Sequence, residues 1–416
     1  MRFFSKLPRA KAYLKLSELL MIFLKILSTK LQAGEKTIAW EAAFSERLGS
    51  TGALCLSRAR LALFFLLKNL GLPAGSEIIM TPLTIADMVN AVRWAKLKPV
   101  FCDLGVNTYN IDYRMLRQLI TPRTRILFIT HLNGLATDMD EIMAIARQHS
   151  LIVIEDASQA LGAAFKGKTL GTFGLAGIFS LSFMKTCCTL FGGMIISDDR
   201  ELLKKIRQET RNFPAPGRVS LLKETIRNII IYLATNRFVF SLGTYYFIKF
   251  SGRLVAKFIK SNPPAELTDE PPKKLLCSYT DCQAELGLKI LKRLSAEDGQ
   301  RIKNVEALTA ALSGEAKKYL PLILPETKNV FWRLPFQTND PINFQKYLLK
   351  NYIDSASTNL IVATEEEAFK EYAGQPAPNA QLAHQTIFLP VHSSFSANDM
   401  RFLARILNNY TGQNRA

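Results

Sequence analysis

Two short stretches bring together residue types that can do chemistry. In LIVIEDASQALGA an apolar run ends in Glu155-Asp156, and Gln159 follows three residues later. A carboxylate held at the end of a buried strand is costly without a partner. Asp156 therefore calls for a cation such as a protonated ring nitrogen, a helix N-cap being the other use of an aspartate here. In AGIFSLSFMKTCCTLFGGMIISDD, Lys185 lies between two apolar runs, with Ser180 five residues before it and Gly192-Gly193 after it. A desolvated lysine has a lowered pKa and becomes a nucleophile able to form a Schiff base; a lysine in a solvated turn would be an ordinary cation. Ser180 is placed to hydrogen-bond a phosphate, and the paired glycines allow a tight turn into the next strand.

The surrounding chain must hold these residues in place. GALCL, SEIIMTP, KPVFCDL, RTRILFITHL and LIVIED are short apolar, strand-like runs. Between them ARLALFFLLKNLGL, IADMVNAVRWAKL, YRMLRQLI and MDEIMAIARQHS carry helical spacing. Buried strands alternating with amphipathic helices predict an α/β fold with a mostly parallel sheet covered on both faces. Ligands of such sheets sit at the carboxyl ends of the strands, where Asp156, Gln159, Ser180 and Lys185 fall. The punctuation divides the chain into a basic amphipathic N-terminal segment (1–37), a large domain (38–212), an apolar and basic insertion (213–272) and a smaller C-terminal α+β part (273–416).

The 416 residues are 48% apolar and 21% charged, an ordinary globular composition. The net charge of +18 suits phosphorylated substrates or an anionic membrane surface. Nucleic acid is not expected, since no zinc-finger spacing or aromatic RNA-binding strand accompanies the basic residues. Six cysteines without a CxxC pair point to reduced thiols in the cytoplasm. At the N-terminus the apolar stretch Leu19 to Leu24 is only six residues long, too short for a signal-peptide core or a membrane span. Leu16, Leu19, Leu20, Phe23, Ile26 and Leu27 recur at helical spacing, so an amphipathic helix is expected, either in peripheral contact with a membrane or covering the protein's own core. The insertion, bounded by FPAPG and NPPAELTDEPP, is aromatic, apolar and basic with almost no acid. Its charge-free runs are too short to cross a bilayer, which leaves peripheral contact of 219–260 with a membrane's inner face, or a subunit interface.

The ordered motifs together are similar to one family. EAAFSERLG, GLPAGSEIIMTPLT, NAVRWAKLKPVFCDL, THLNGLATDMDEI, VIEDASQALGA, GTFGLAGIFSLSFMK, GGMIISDD, CQAELGLKILKRL and FLPVHSSFS resemble the DegT/DnrJ/EryC1/StrS sugar aminotransferases, over roughly residues 38–212 and 273–410. The resemblance implies the aspartate-aminotransferase-like fold type I, pyridoxal 5'-phosphate as cofactor and a homodimer. It makes Lys185 the Schiff-base lysine that also moves the proton in transamination, Asp156 the partner of the pyridine nitrogen, Gln159 a neighbour of the ring hydroxyl and Ser180 a phosphate ligand. Ala59 and Arg60 fall at the helix N-terminus that takes the phosphate, where the family has a small residue and a threonine. Ile85 falls where an aromatic ring stacks on the cofactor, Leu276 where an asparagine reaches the partner subunit's phosphate, and Phe191 where a polar residue is usual. The implied activity is amination of a keto-sugar, nucleotide-linked, by a donor such as glutamate, for cell-surface polysaccharide. Lys185 speaks against the dehydratase branch, which has a histidine there. Two rivals remain: a lipid-linked acceptor, and a non-catalytic relative serving a membrane-associated assembly. Of the histidines, His131 in THLNG lies near the presumed site with either a structural or a ligand-contacting role; His392 reads as structural, His149 and His384 as surface residues, and no metal site is expected.

Overall fold

The computed structural model describes residues 6–251 and 265–413. Seven strands build one sheet: β1 (Ala53–Leu56), β2 (Glu77–Met80), β3 (Lys98–Phe101), β4 (Thr124–Thr130), β5 (Ile152–Asp156), β6 (Ala176–Ser180) and β7 (Gly193–Ile196). Their order across the sheet is β1-β7-β6-β5-β4-β2-β3, and β7 alone runs against the rest. The expected parallel α/β sheet is thus present, and its apolar strands are buried because helices cover it.

Four of the helices connect these strands. They are α3 (Ala59–Asn69), α4 (Ala86–Trp94), α5 (Tyr113–Leu119) and α6 (Met139–Gln148). In α3 the run from Leu61 to Leu67 is buried without interruption, so this helix is a core element and not a surface one. Its first turn touches the start of β7. A Cβ on Gly193 would lie 2.4 Å from the Arg58 carbonyl carbon and 2.5 Å from the Ala59 nitrogen, so only glycine lets β7 lie there.

Two helices precede the sheet, α1 (Leu16–Ser28) and α2 (Glu35–Leu48), and α7 (Arg200–Thr210) follows it. The amphipathic helix expected near the N-terminus is α1, but its inward stripe differs from the one read from the sequence. Leu19, Ile22 and Ile26 are buried, whereas Leu16, Leu20 and Leu27 face solvent. Both faces of α1 are apolar, so periodicity could not choose between them. Polar contacts do: Glu18 is buried against Arg293, and Lys25 pairs with Glu285.

The insertion is helical where it is described. α8 (Arg218–Thr235) packs beside α1, and residues 237–250 continue as α9 (Arg237–Val239), a π-turn (Phe240–Thr244) and α10 (Tyr245–Phe250). The stretch 252–264, part of the expected membrane or subunit contact, lies outside the described residues. Among the described residues no helix is long and apolar enough to cross a membrane.

A long helix, α11 (Asp281–Ala311), joins the two halves of the molecule. Leu286, Ile290 and Leu294 belong to the core beneath α1 and α2, while Val305 and Leu308 belong to the C-terminal core. That C-terminal part holds a small antiparallel sheet of β8 (Leu334–Gln337), β9 (Ala356–Ser357) and β10 (Thr386–Leu389), flanked by α12 (Pro341–Lys350) and α13 (Ala397–Gln413).

Candidate active site

The carboxyl ends of β5 and β6 and the turn after β6 form one cluster. Period-2 alternation sends Glu155 and Asp156 to opposite faces of β5. Glu155 is fully buried and accepts hydrogen bonds from the backbone nitrogens of Gly171 (2.7 Å), Phe173 (2.6 Å) and Gly174 (3.0 Å). It also meets His131 Nε2 at 3.1 Å, and Nδ1 of that ring lies 3.1 Å from Thr137 Oγ1. His131 is therefore held on both nitrogens at zero exposure, a structural role. Asp156 differs. Its Oδ1 accepts from the Ser158 backbone nitrogen at 2.9 Å, and among the described residues no cation forms an ion pair with it. A buried carboxylate so placed suits a cationic ligand.

Lys185 follows Met184, which sits in left-handed backbone at φ 65°. The strained residue is fixed by its carbonyl, which accepts from Trp332 Nε1 at 3.0 Å. The same indole covers the lysine, with Nζ 3.8 Å from the ring centroid. Burial brings the Lys185 ammonium down to about 7; the Asp156 carboxylate pulls the other way, and the Arg333 guanidinium adds to the lowering. An ordinary lysine titrates near 10.4, so at pH 7 it is uncharged in only about one molecule in 2,500. Capture of pyridoxal phosphate by the apoprotein is therefore expected to accelerate as pH rises through about 7, because the neutral amine is the attacking form. Stopped-flow absorbance across that range checks it; a midpoint near 10 would show a solvated lysine.

Gln159 turns its side-chain oxygen to the Asn133 backbone nitrogen at 2.8 Å, which leaves its NH2 group directed elsewhere. Asn133 and Gly134 take left-handed backbone there, and a Cβ on Gly134 would come within 2.6 Å of the Trp332 nitrogen. The strap Val330–Arg333 thus closes directly on the Gln159 side of the cluster.

Ser180 ends β6 and pairs with Gly193 in β7, whose Cα abuts Arg58 and Ala59. The Ser180 position and the first turn of α3 are therefore neighbours. That turn has no capping side chain and no acid, so its N–H groups are open to an anion. Arg60 is ion-paired with Asp87 in the first turn of α4, beside Ile85, which is that helix's N-cap. Ala59, Ile85 and Leu276 pack on the same apolar cluster, and Ser57 Oγ donates to the Leu275 carbonyl at 2.5 Å. Phe191 lies under the Arg58 guanidinium, 4.0 Å from its carbon to the ring centroid. Burial, reinforced by the nearby Arg60, lowers Arg58 to about 10.

The desolvated amine, the carboxylate that has no ion pair among the described residues, the amide, the hydroxyl and the uncapped helix are the groups that pyridoxal phosphate requires, and the residues fit the cofactor. Trp332, Arg333 and Arg58 were not singled out from the sequence; the first two lie far along the chain from Lys185, and no local motif marks them. His392 is buried between the Pro8 carbonyl and Ser394, and burial lowers it to about 3, a structural role as expected. His384 is exposed beside Glu365, at 2.7 Å. All six cysteines are free thiols. Among the described residues no cluster could hold a metal ion.

Comparison with known proteins gives the same picture. The chain is 38% identical over 177 residues to the spore coat polysaccharide biosynthesis protein SpsC of Bacillus subtilis, covering 42% of this chain and 46% of that protein. It is 37% identical over 174 residues to GDP-perosamine synthase of Caulobacter vibrioides, covering 42% and 47%. The alignments thus span about half the length of these relatives. Over its whole length the fold matches the aminotransferase from Psychrobacter cryohalolentis, with a TM-score of 0.75, 22% identity and coverage of 97% and 98%. Helicobacter pylori PseC, an aminotransferase involved in pseudoaminic acid biosynthesis, matches at 0.74 with 20% identity, covering 98% and 100%. The family model matches residues 19–225 and 277–408, and the chain belongs to the DegT/DnrJ/EryC1/StrS aminotransferase family.

Proposed function

We propose that this chain is a pyridoxal-phosphate-dependent aminotransferase that converts a nucleotide-linked keto-sugar to an amino-sugar, with an amino acid such as glutamate as donor. The observation that carries the reading is the pairing of a desolvated Lys185 with the cation-seeking Asp156 at adjacent strand ends. Membership of a sugar-modifying family supports the substrate class. Bound there, the cofactor would supply an electron sink for the carbanion. Asp156 would keep the ring nitrogen protonated, and Gln159 would donate to the ring hydroxyl. Ser180 and the N–H groups at Ala59 and Arg60 would hold the phosphate, with Ile85 beside the ring. Lys185 would carry the cofactor and then move the proton as general acid and base. A homodimer is the assembly that goes with this fold, and the free thiols suit the cytoplasm.

Arg333 supplies the donor's recognition. Its guanidinium stacks on Trp332, the indole that also covers Lys185, at 4.3 Å, and bonds to Asn359 at 2.9 Å. Among the described residues no carboxylate pairs with it. An amino acid's carboxylate would complete the pair, on the side of the indole strap where the donor's amine would displace Lys185 from the cofactor.

The test is the first half-reaction. Incubating the protein and pyridoxal phosphate with glutamate is expected to yield pyridoxamine phosphate. No product with any common amino donor would sink the proposal. Arg333→Ala should raise the donor KM on the order of 10- to 100-fold, as expected for losing a hydrogen bond to a charged group. Arg333→Lys should recover part of the loss, because it restores the charge without the fork.

A further inference from the structure

We propose that α1, α8 and residues 237–250 form a docking surface for an anionic lipid bilayer, lying in its interface and not across it. Each helix turns a stripe of large apolar side chains to solvent. On α1 these are Leu16, Leu20, Leu24 and Leu27, at one helical face, with Leu24 64% exposed. On α8 they are Val219, Ile226, Ile230 and Leu233, with Ile230 58% exposed. On the run that follows they are Phe238, Leu242, Phe247 and Phe250, with Phe247 60% and Phe250 79% exposed. Stripes of this size on neighbouring helices exceed the scattered apolar residues of an ordinary surface.

The platform is built rigidly. Arg218 bonds to the Thr29 carbonyl at 2.8 Å at the end of α1. Lys6 reaches the Ser241 carbonyl at 2.6 Å, Tyr245 donates to the Leu349 carbonyl at 2.7 Å, and Arg237 pairs with Asp399 at 2.5 Å. Such anchoring keeps the stripes turned outward, where collapse onto the body would otherwise hide them.

Charge decides the occupant. Across Leu16–Ser28 and residues 218–251 the only acids are Glu18, buried against Arg293, and Glu224, half-buried beside Arg227. Lys15, Lys30, Lys223 and Lys249 are exposed around the apolar stripes. Apolar residues framed by lysines match the acyl boundary and phosphates of an anionic bilayer. A second copy is the poorer occupant, because a two-fold interface would set this face against itself and bring like charges together. α8 also rests on the turn that carries Lys185: the Arg227 guanidinium lies 3.5 Å from the Phe183 ring centroid, and Cys188 Sγ meets Asn228 at 3.8 Å. A bilayer on this face would stand one helix away from the reactive lysine.

The test is sedimentation of the full-length chain with phosphatidylglycerol–phosphatidylcholine vesicles, against phosphatidylcholine alone. Binding to the anionic vesicles at low salt is expected, with at least a tenfold loss in the variant Leu20→Glu/Leu24→Glu/Ile230→Glu/Phe247→Glu. Lys15→Gln/Lys223→Gln/Lys249→Gln should weaken it and reduce its salt dependence. Wild-type protein that stays in the supernatant overturns the proposal. So does an apolar variant that binds as well as wild type, or one that instead falls from dimer to monomer. Hydrogen exchange of the wild type gives a reading independent of variant folding: vesicles should protect α1 and residues 218–250, and unchanged exchange there counts against the surface.

Discussion

Lys185→Ala is expected to lose the absorbance of lysine-bound pyridoxal phosphate and to lower turnover by roughly 10³-fold or more. The size follows from the two tasks of one side chain, holding the cofactor and moving the proton. Lys185→Arg should fail equally, although it keeps a cation over the Trp332 ring, because a guanidinium does not lose its proton in this pH range. That pair of variants separates chemistry from charge. If the band survives in Lys185→Ala, a different lysine holds the cofactor, and the assignment built on Asp156 and Lys185 falls. Thermal melts of the apoproteins should show both variants folded, since alanine removes a desolvated amine instead of a paired one.

The second large effect concerns stability. Arg301 is fully buried in α11, and its three arms go to different parts of the chain. Nε donates to the Val330 carbonyl at 2.5 Å, one terminal nitrogen to Tyr13 Oη at 3.2 Å, and the other to Asp298 at 2.5 Å. Asp298 in turn lies against Gly162, where a Cβ would approach its carboxylate to 2.6 Å. Arg301 therefore supports both the strap that bears Trp332 and the turn that follows Gln159. Arg301→Leu should cost about 3–5 kcal/mol, the range for breaking a buried pair and leaving one charge behind. Burial already raises Asp298 to about 6, with Arg301 pulling it down. A carboxyl raised in the folded state penalises folding above that pKa, and the penalty fades as pH falls toward its unfolded value. The difference between variant and wild type should therefore be smaller at pH 5 than at pH 8 in denaturant melts. A pH-independent difference would mean that Asp298 is not the charge left unpaired.

What could be read from the sequence was whatever lay close together in it. Asp156, Gln159, Ser180 and Lys185 fall within one strand–turn–strand stretch, so their types and spacing were visible before any tertiary contact was known. The alternation of strands and helices was legible for the same reason. Long-range partners were not. His131 could be kept out of the chemistry only by seeing Glu155 and Thr137 on its two nitrogens. Arg60, read as facing a phosphate, has Asp87 as its partner, from a separate helix. The inward face of α1 depended on Arg293, in a helix far down the chain. Trp332 and Arg333 left no local signal, because their meaning lies in where the strap docks.

That docking has a consequence for the making of the protein. The sheet strands and Lys185 emerge first, while the indole that covers the amine comes much later in the chain. Until residues 330–333 close on the turn at Asn133, the lysine is wet and strongly basic, indistinguishable to an aldehyde from its many neighbours. Capture of the coenzyme at Lys185 is therefore expected to follow the docking of that strap, because only then is the amine desolvated.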